Sequence, residues 1–78
     1  EAGIEGTVEV LFVVQPNGRT AEARVVKSVH PLCDEAALRA IRTAIFRPGR
    51  VNGQAVSVRV RLPIRFEIKD DGSVQGSR

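Results

Sequence analysis

The sequence predicts an α+β fold in the order β-β-α-β, a three-stranded antiparallel sheet with strand order 2-1-3 and one helix packed on one face. Three stretches alternate apolar and polar residues with the period of two that is typical of half-buried strands. Between the second and third stretches, apolar residues recur every three or four positions, as in an amphipathic helix. The 78 residues suffice for one domain of this kind.

The first two strands are predicted over residues 7–15 and 19–28, joined by a turn at Pro16-Asn17-Gly18. Asparagine and glycine tolerate the backbone of tight turns, so this junction is typical of a β-hairpin. The first strand has apolar residues on both faces, which favours a central position in the sheet. Those on one face are Val8, Val10, Phe12 and Val14, and those on the other are Leu11 and Val13.

The second strand and the helix are expected to pack together. In the strand, small apolar residues are predicted to share one face, namely Ala21, Ala23 and Val25. The helix is predicted over residues 32–45, with an apolar stripe of Cys33, Ala37, Ile41 and Ala44. Acidic residues in its first turn and arginines further along match the helix dipole.

The third strand is predicted over Val56–Ile68, where every even position is apolar and every odd position is polar, charged or proline. Pro63 lies inside it, and proline, which cannot donate a ladder hydrogen bond, is tolerated at a sheet edge. Since the first strand is expected at the centre, both cues place the third strand at the edge. It is longer than the first strand, so part of it must overhang or pair elsewhere.

Composition at the two ends predicts the limits of the domain. Residues 1–5 are interpreted as the remnant of a linker, residues 6–69 as the domain, and the polar residues 70–78 as a flexible tail. The chain begins at Glu1 rather than methionine, which is typical of a fragment of a longer protein. No run approaches the roughly 18 apolar residues that a membrane helix needs.

Side chains that carry chemistry are scarce, which argues against an enzyme. The single cysteine, Cys33, excludes an internal disulfide, and its apolar neighbours predict a small buried hydrophobe. His30 is the only histidine, and His30-Pro31 is typical of a turn that enters a helix. Since no cluster has the spacing of metal ligands or of a catalytic set, we expect no catalytic residues, no metal and no cofactor.

The net charge of +3, with ten arginines and two lysines, permits an anionic partner without requiring one. Sheets that bind RNA stack the bases on exposed aromatic side chains. Phe12 and Phe66 are expected in the core and Phe46 at the helix exit. Because no aromatic remains for stacking, nucleic acid is not an expected partner.

Two surfaces of the predicted fold are open to partners. A lone helix covers one face of a sheet, so the other face is either shielded by arginine stems or covered by another chain or an upstream segment. That face carries Leu11, Val13, Val26, Arg59, Arg61 and Arg65. The edge beyond Pro63 offers free backbone groups, which suits strand addition by an extended peptide.

Four short motifs follow one another along the chain. They are Asp34-Glu35-Ala36-Ala37-Leu38, Phe46-Arg47-Pro48, Asn52-Gly53 and Leu62-Pro63-Ile64-x-Phe66. With these motifs in this order, residues 6–68 resemble the TonB carboxy-terminal domain family, whose fold is a small three-stranded antiparallel sheet with a helix on one face. Cys33 departs from the family pattern, which usually has an aliphatic residue there.

The resemblance implies energy transduction across the Gram-negative periplasm by a domain at the end of a protein anchored in the inner membrane. The implied partners are TonB-dependent outer-membrane transporters of siderophores, vitamin B12 and similar solutes, and an ExbB/ExbD-type motor reached through the rest of the protein. A short segment of the transporter, the TonB box, would add as a strand to the last strand. The implied contact residues are Pro63, Ile64, Arg65, Phe66, Glu67 and Ile68, with Arg59 and Arg61 as electrostatic contacts.

A second hypothesis keeps the fold and changes the role. The chain would then be a structural or oligomerisation domain, either self-associating as a homodimer through the same edge or built into a TolA-like or other cell-envelope complex. An upstream proline-rich spacer and a single membrane helix would favour the transducer over this alternative.

Overall fold

Six strands and one helix account for most of the residues that the computed structural model describes, which are 3–68 and 74–77. In chain order the elements are β1 (Ile4–Val14), β2 (Thr20–Lys27), α1 (Pro31–Thr43), β3 (Gly49–Val51), β4 (Gln54–Val56), β5 (Val58–Ile68) and β6 (Val74–Ser77). One antiparallel sheet has the order β2-β1-β5-β6, and β3 pairs with β4 in a separate hairpin.

The predicted fold class and the order of the three main strands are confirmed. β1 lies between β2 and β5, where β5 corresponds to the third predicted strand. β1 and β5 pair without a register shift, from Ile4 opposite Ile68 to Val14 opposite Val58. The central position of β1 agrees with the prediction made from its apolar residues on both faces.

The core lies between the sheet and α1. Even-numbered residues over 8–14 of β1 and 60–66 of β5 point toward the helix, which contributes every fourth residue. The buried residues are Val8, Val10, Phe12, Val14, Cys33, Ala37, Ile41, Ile64 and Phe66. Beyond the helix, the ring of Phe46 packs on that of Phe12 with 5.2 Å between the centroids. At the start of β2, the Thr20 hydroxyl donates to the Ile41 carbonyl at 3.0 Å and so joins β2 to the helix.

α1 begins at Pro31 because neighbouring side chains satisfy the first turn. His30 has an extended backbone, and its Nδ1 accepts a hydrogen bond from the Leu32 amide at 3.2 Å, which makes it the N-cap. The Asp34 carboxylate accepts hydrogen bonds from the Ser28 hydroxyl and the Val29 backbone amide. These contacts bind the loop after β2 to the start of the helix.

α1 ends at Thr43, two residues before the predicted limit, because the following residues bind the β1–β2 turn. Ala44 is already extended, and the Phe46 amide donates to the Gly18 carbonyl at 2.8 Å. Gly18 has a φ of 86°, and a Cβ there would lie 2.5 Å from the Phe46 carbonyl oxygen. The predicted turn at residues 16–18 is present, and it needs glycine both for its backbone and for this contact.

The third predicted strand is divided in the structure. Gln54–Val56 form β4, which pairs with β3, and Ser57 separates β4 from β5. Asn52 and Gly53 between β3 and β4 have φ values of 51° and 81°, as a two-residue hairpin turn requires. The prediction of one continuous strand over Val56–Ile68 is therefore wrong at its start, and the β3–β4 hairpin accounts for the excess length.

Both ends of the chain carry more strand than the sequence predicts. Ile4 and Glu5, assigned to a linker, belong to β1 and pair with β5. Within the tail predicted to be flexible, Val74–Ser77 form β6 on the outer side of β5. Residues 1–2, 69–73 and 78 lie outside the described residues, so the flexibility of the rest of the tail stays a prediction.

Candidate binding edge and outer face of the sheet

The outer side of β5 is the edge at which strand addition is predicted. β1 pairs with the inner side of β5 along its whole length. β6 pairs with the outer side only near the end of β5, from Arg65 opposite Ser77 to Ile68 opposite Val74. Among the described residues no strand pairs with the outer side over 58–64, a stretch that we call the open edge.

Pro63 lies in the open edge. It is opposite Glu9 of β1, and the β1–β5 ladder continues through this position without a register shift. Since proline has no N–H, an uninterrupted ladder indicates that the missing donor is on the outer side. This position agrees with the edge assignment made from the sequence.

The six predicted contact residues lie together on β5, but they differ in what they present. Ile64 and Phe66 point into the core and are 6% and 5% exposed, so only their backbone could meet a partner. Arg65 is exposed on the other face. The backbone of residues 65–68 pairs with β6, so the edge predicted to be free there is occupied by the chain itself. That these residues bind a partner stays a prediction.

Two diagonal ion pairs join β5 to β1 on the outer face, which is the face of the sheet opposite α1. Arg61 Nε donates to Glu9 Oε1 at 2.5 Å, and Arg65 Nη2 donates to Glu5 Oε1 at 2.7 Å. Glu9 lies opposite Pro63, two residues after Arg61, and Glu5 lies opposite Glu67, two residues after Arg65. Arg61, expected to contact a partner, is therefore paired within the domain.

Arg59, the other expected electrostatic contact, has different neighbours. It lies opposite Val13, and the diagonal position that holds a glutamate in the two ion pairs is here Leu11. Within the described part of the chain, no ion pair joins Arg59 to a carboxylate. Its cross-strand and diagonal neighbours on β1 are therefore both apolar.

A β-bulge in β2 brings a second arginine to this face. The β1–β2 register shifts between Leu11, which pairs with Arg24, and Val13, which pairs with Ala21. The extra residue, Glu22, has a φ of 55°, in the left-handed region that non-glycine residues rarely adopt. The bulge places Arg24 on the outer face beside Leu11.

The bulge also corrects the predicted faces of β2. Ala21, Ala23 and Val25 were expected to share one face, but Ala21 lies opposite Val13 of the outer face, whereas Ala23 and Val25 pack against the core. A one-residue insertion exchanges the two faces of a strand, and the sequence carries no sign of it, because the left-handed position holds glutamate rather than glycine. For this reason the sequence did not predict that Glu22 and Arg24 line a groove on the outer face.

These side chains enclose a shallow groove on the outer face, with a volume of about 220 Å³. Its lining residues are Leu11, Phe12, Val13, Glu22, Arg24 and Arg59. Leu11 and Val13 supply its apolar part, and the two arginines come from strands on opposite sides of β1. The groove therefore combines apolar side chains with two cationic groups and the carboxylate of Glu22.

Cys33 is a residue of the core, and His30 is the N-cap of α1. Cys33 is 1% exposed, and its burial, together with the negative charge of Asp34, raises the pKa of its thiol. The nucleophilic thiolate is therefore disfavoured at neutral pH.

In the described ranges, no three His, Cys, Asp or Glu side chains converge as a metal site needs, and no helix is long and apolar enough to cross a membrane.

The sequence is similar to proteins of one family. The family model described as Gram-negative bacterial TonB protein C-terminal matches residues 1–68. Two curated proteins named "Protein TonB", from two strains of Xanthomonas campestris pv. campestris, are each 37% identical over 68 residues, which cover 86% of this chain. The chain spans only 30% of the length of these relatives. No solved structure matches the chain significantly.

Proposed function

The chain belongs to the family of TonB carboxy-terminal domains, and on that premise we propose that it binds outer-membrane transporters in a Gram-negative periplasm. An extended segment of the transporter, the TonB box, adds as a strand to β5. The domain then passes on force that an ExbB/ExbD-type motor in the inner membrane derives from the proton-motive force. The transported solutes are siderophores, vitamin B12 or similar compounds.

The open edge of β5 is the observation that supports this proposal best. An edge strand presents a row of unpaired N–H and C=O groups, which an extended peptide can pair with. β5 is eleven residues long, and β1 fixes its inner side along that whole length. A partner strand would therefore meet a straight and well-supported template.

Strand addition also suits a domain that bears tension. Hydrogen bonds between strands lie across the strand direction, so a pull along the strand loads them together rather than one after another. The continuous ladder with β1 carries that load from β5 to the centre of the sheet. The two ion pairs add little to this, because exposed pairs contribute at most about 1 kcal/mol each.

β6 determines how a partner can dock. It covers residues 65–68, which belong to the predicted contact stretch, so the partner must either stay on the open edge or replace β6. β6 is only four residues long, and a backbone hydrogen bond contributes about 1 kcal/mol net. A longer partner segment can form more of these bonds, so we infer that it displaces β6.

Self-association through the same edge is the second candidate function, as in a structural or oligomerisation domain of a TolA-like complex. The open edge would then pair with β5 of a second copy. Antiparallel pairing of two identical edges would bring Arg59 and Arg61 of both copies close together on one face, and like charges across strands are destabilising. A different partner strand avoids this repulsion.

An NMR titration tests the proposal. The isotope-labelled chain is titrated with synthetic peptides that cover the amino-terminal periplasmic segments of transporters encoded in the same genome. We expect the amide signals of β5 to shift and the Arg59 and Arg61 amides to become protected from hydrogen exchange, because these residues alternate in step with Pro63 and direct their N–H groups to the outer side. Two peptides, one with proline at the even positions and one at the odd positions, are the matched controls, since the one whose prolines face β5 lacks the donors of the ladder.

Two outcomes would contradict strand addition by a transporter. In the first, saturating peptide leaves the β5 amides unmoved. In the second, these amides shift with the concentration of the chain alone, which would support the oligomerisation domain instead.

A further inference from the structure

On the outer face, two arginines of β5 form ion pairs with β1, and a third arginine, Arg59, has Leu11 in place of a glutamate. Arg61 and Arg65 each contact a glutamate of β1, and Arg59 lies two residues before Arg61 on the same face of β5. Its diagonal position, however, is Leu11 rather than a glutamate. On the other side of β1, Arg24 also lies opposite Leu11, and no ion pair joins either Arg24 or Arg59 to a carboxylate in the described ranges.

The backbone of β2 is strained at the point that keeps Arg24 on this face. With a regular register from Ala21 onward, Arg24 would turn toward the core, since a one-residue slip exchanges the faces of a strand. The bulge avoids this at the cost of a left-handed Glu22, a backbone conformation that residues other than glycine rarely adopt. Burial of Ala23 and Val25 on the core side offsets that cost.

The composition of the groove favours a carboxylate that is flanked by apolar groups. Guanidinium groups present their N–H donors in a planar fork that matches a carboxylate, and their stems can lie on apolar floors such as Leu11 and Val13. The volume of about 220 Å³ is below the range of pockets for whole small molecules and suits one or two side chains. Glu22 also lines the groove, so the charged side chains there sum to a single positive charge, which suits one carboxylate rather than several.

We propose that this groove binds an aspartate or glutamate side chain of the protein partner, with Arg24 and Arg59 on either side of the carboxylate. The inference rests on the proposed function, because it adds a specificity contact for the same partner. Arg59 lies on β5 within the open edge, so the groove extends from the sheet centre to the strand on which a partner segment would add. The acidic residue would sit next to apolar residues that cover Leu11 and Val13.

The experiment compares each transporter peptide with a version in which asparagine or glutamine replaces every acidic residue. For the wild-type chain we expect the acidic peptide to bind about tenfold more tightly, since hydrogen bonds to charged groups are the stronger ones. We also expect its binding to shift the side-chain NMR signals of Arg24 and Arg59 and the methyl signals of Leu11 and Val13. In the Arg24→Gln/Arg59→Gln chain, the two peptides should bind within about twofold of each other.

Arg50→Gln is the control for charge, because it removes one positive charge outside the groove, from the β3–β4 hairpin, where Arg50 donates to the Gly53 carbonyl. It should preserve the preference for the acidic peptide. Equal binding of the two peptides to the wild-type chain, with the β5 amides still shifted, would overturn the groove inference and leave strand addition intact. The same loss from Arg50→Gln would reduce the effect to net charge, and an absence of any peptide binding would overturn both proposals.

Discussion

Cys33 is the residue whose ionisation is tied most directly to folding. Burial and the neighbouring Asp34 raise the pKa of its thiol above the ordinary value of 9.0. For a group whose pKa is raised by folding, the stability is fully present below the unfolded pKa and is lost as the pH rises toward the folded one. We therefore expect the free energy of unfolding to fall from about pH 9 upward.

Urea unfolding at a series of alkaline pH values measures this loss, and Cys33→Ala provides the comparison. The variant should be less stable at neutral pH because it loses core packing, but its stability should fall less steeply with pH. Parallel pH profiles for the two proteins would show that folding leaves the pKa of the thiol unchanged, contrary to the expectation.

Single residues could be predicted from the sequence where their close neighbours determine their surroundings. Cys33 was predicted to be buried from the apolar residues around it, and Pro63 to lie at the edge from its missing donor. Glu22 and Arg24 could not be placed, because their positions depend on how β2 aligns with β1. A bulge is a property of two strands, and residue spacing within one of them does not record it.

At the scale of elements, the junction between β2 and α1 depends on Asp34. Its carboxylate accepts hydrogen bonds from the Ser28 hydroxyl and the Val29 amide, which connect the loop to the first helical turn. Asp34→Ala should lower the free energy of unfolding by about 1 kcal/mol, the usual cost of losing such a contact at a helix start. Thermal or urea unfolding measures the change.

Glu35→Ala is the control for this prediction. Glu35 forms an i,i+4 ion pair with Arg39, and both side chains are well exposed. Such pairs contribute only about 0.3–0.5 kcal/mol, so Glu35→Ala should be nearly neutral. If the two variants were destabilised equally, the effect of Asp34 would come from helix charge rather than from the loop contacts.

The elements that the sequence predicts best are those with their own periodicity. β1, β2, α1 and most of β5 follow from local patterns, whereas the break at Ser57 does not, because the alternation continues across it. β6 was missed for a related reason. Its residues are polar and glycine-rich, and what makes them a strand is the vacant edge of β5 beside them.

At the scale of the whole molecule, the partner and the tail compete for one edge. The match to the family ends at residue 68, and β6 follows it at Val74–Ser77. The docking mode proposed from the family therefore involves β5 alone. β6 is then an internal strand that a partner must outcompete, and the sequence motifs could not show this, because they lie outside the tail.

Removal of residues 74–78 tests this competition. The shortened chain should show faster hydrogen exchange at the Arg65 and Glu67 amides, which lie in the stretch that pairs with β6. If β6 docking contributes about 1–2 kcal/mol, transporter peptides should bind the shortened chain about 5 to 30 times more tightly, because no internal strand has to be displaced. Calorimetric titration measures the gain, and a chain that lacks only Arg78 is the control.

The fully exposed edge should also increase self-association, so the titrations are repeated at several protein concentrations. An affinity equal to that of the full chain would mean that the partner pairs with residues 58–64 and leaves β6 in place.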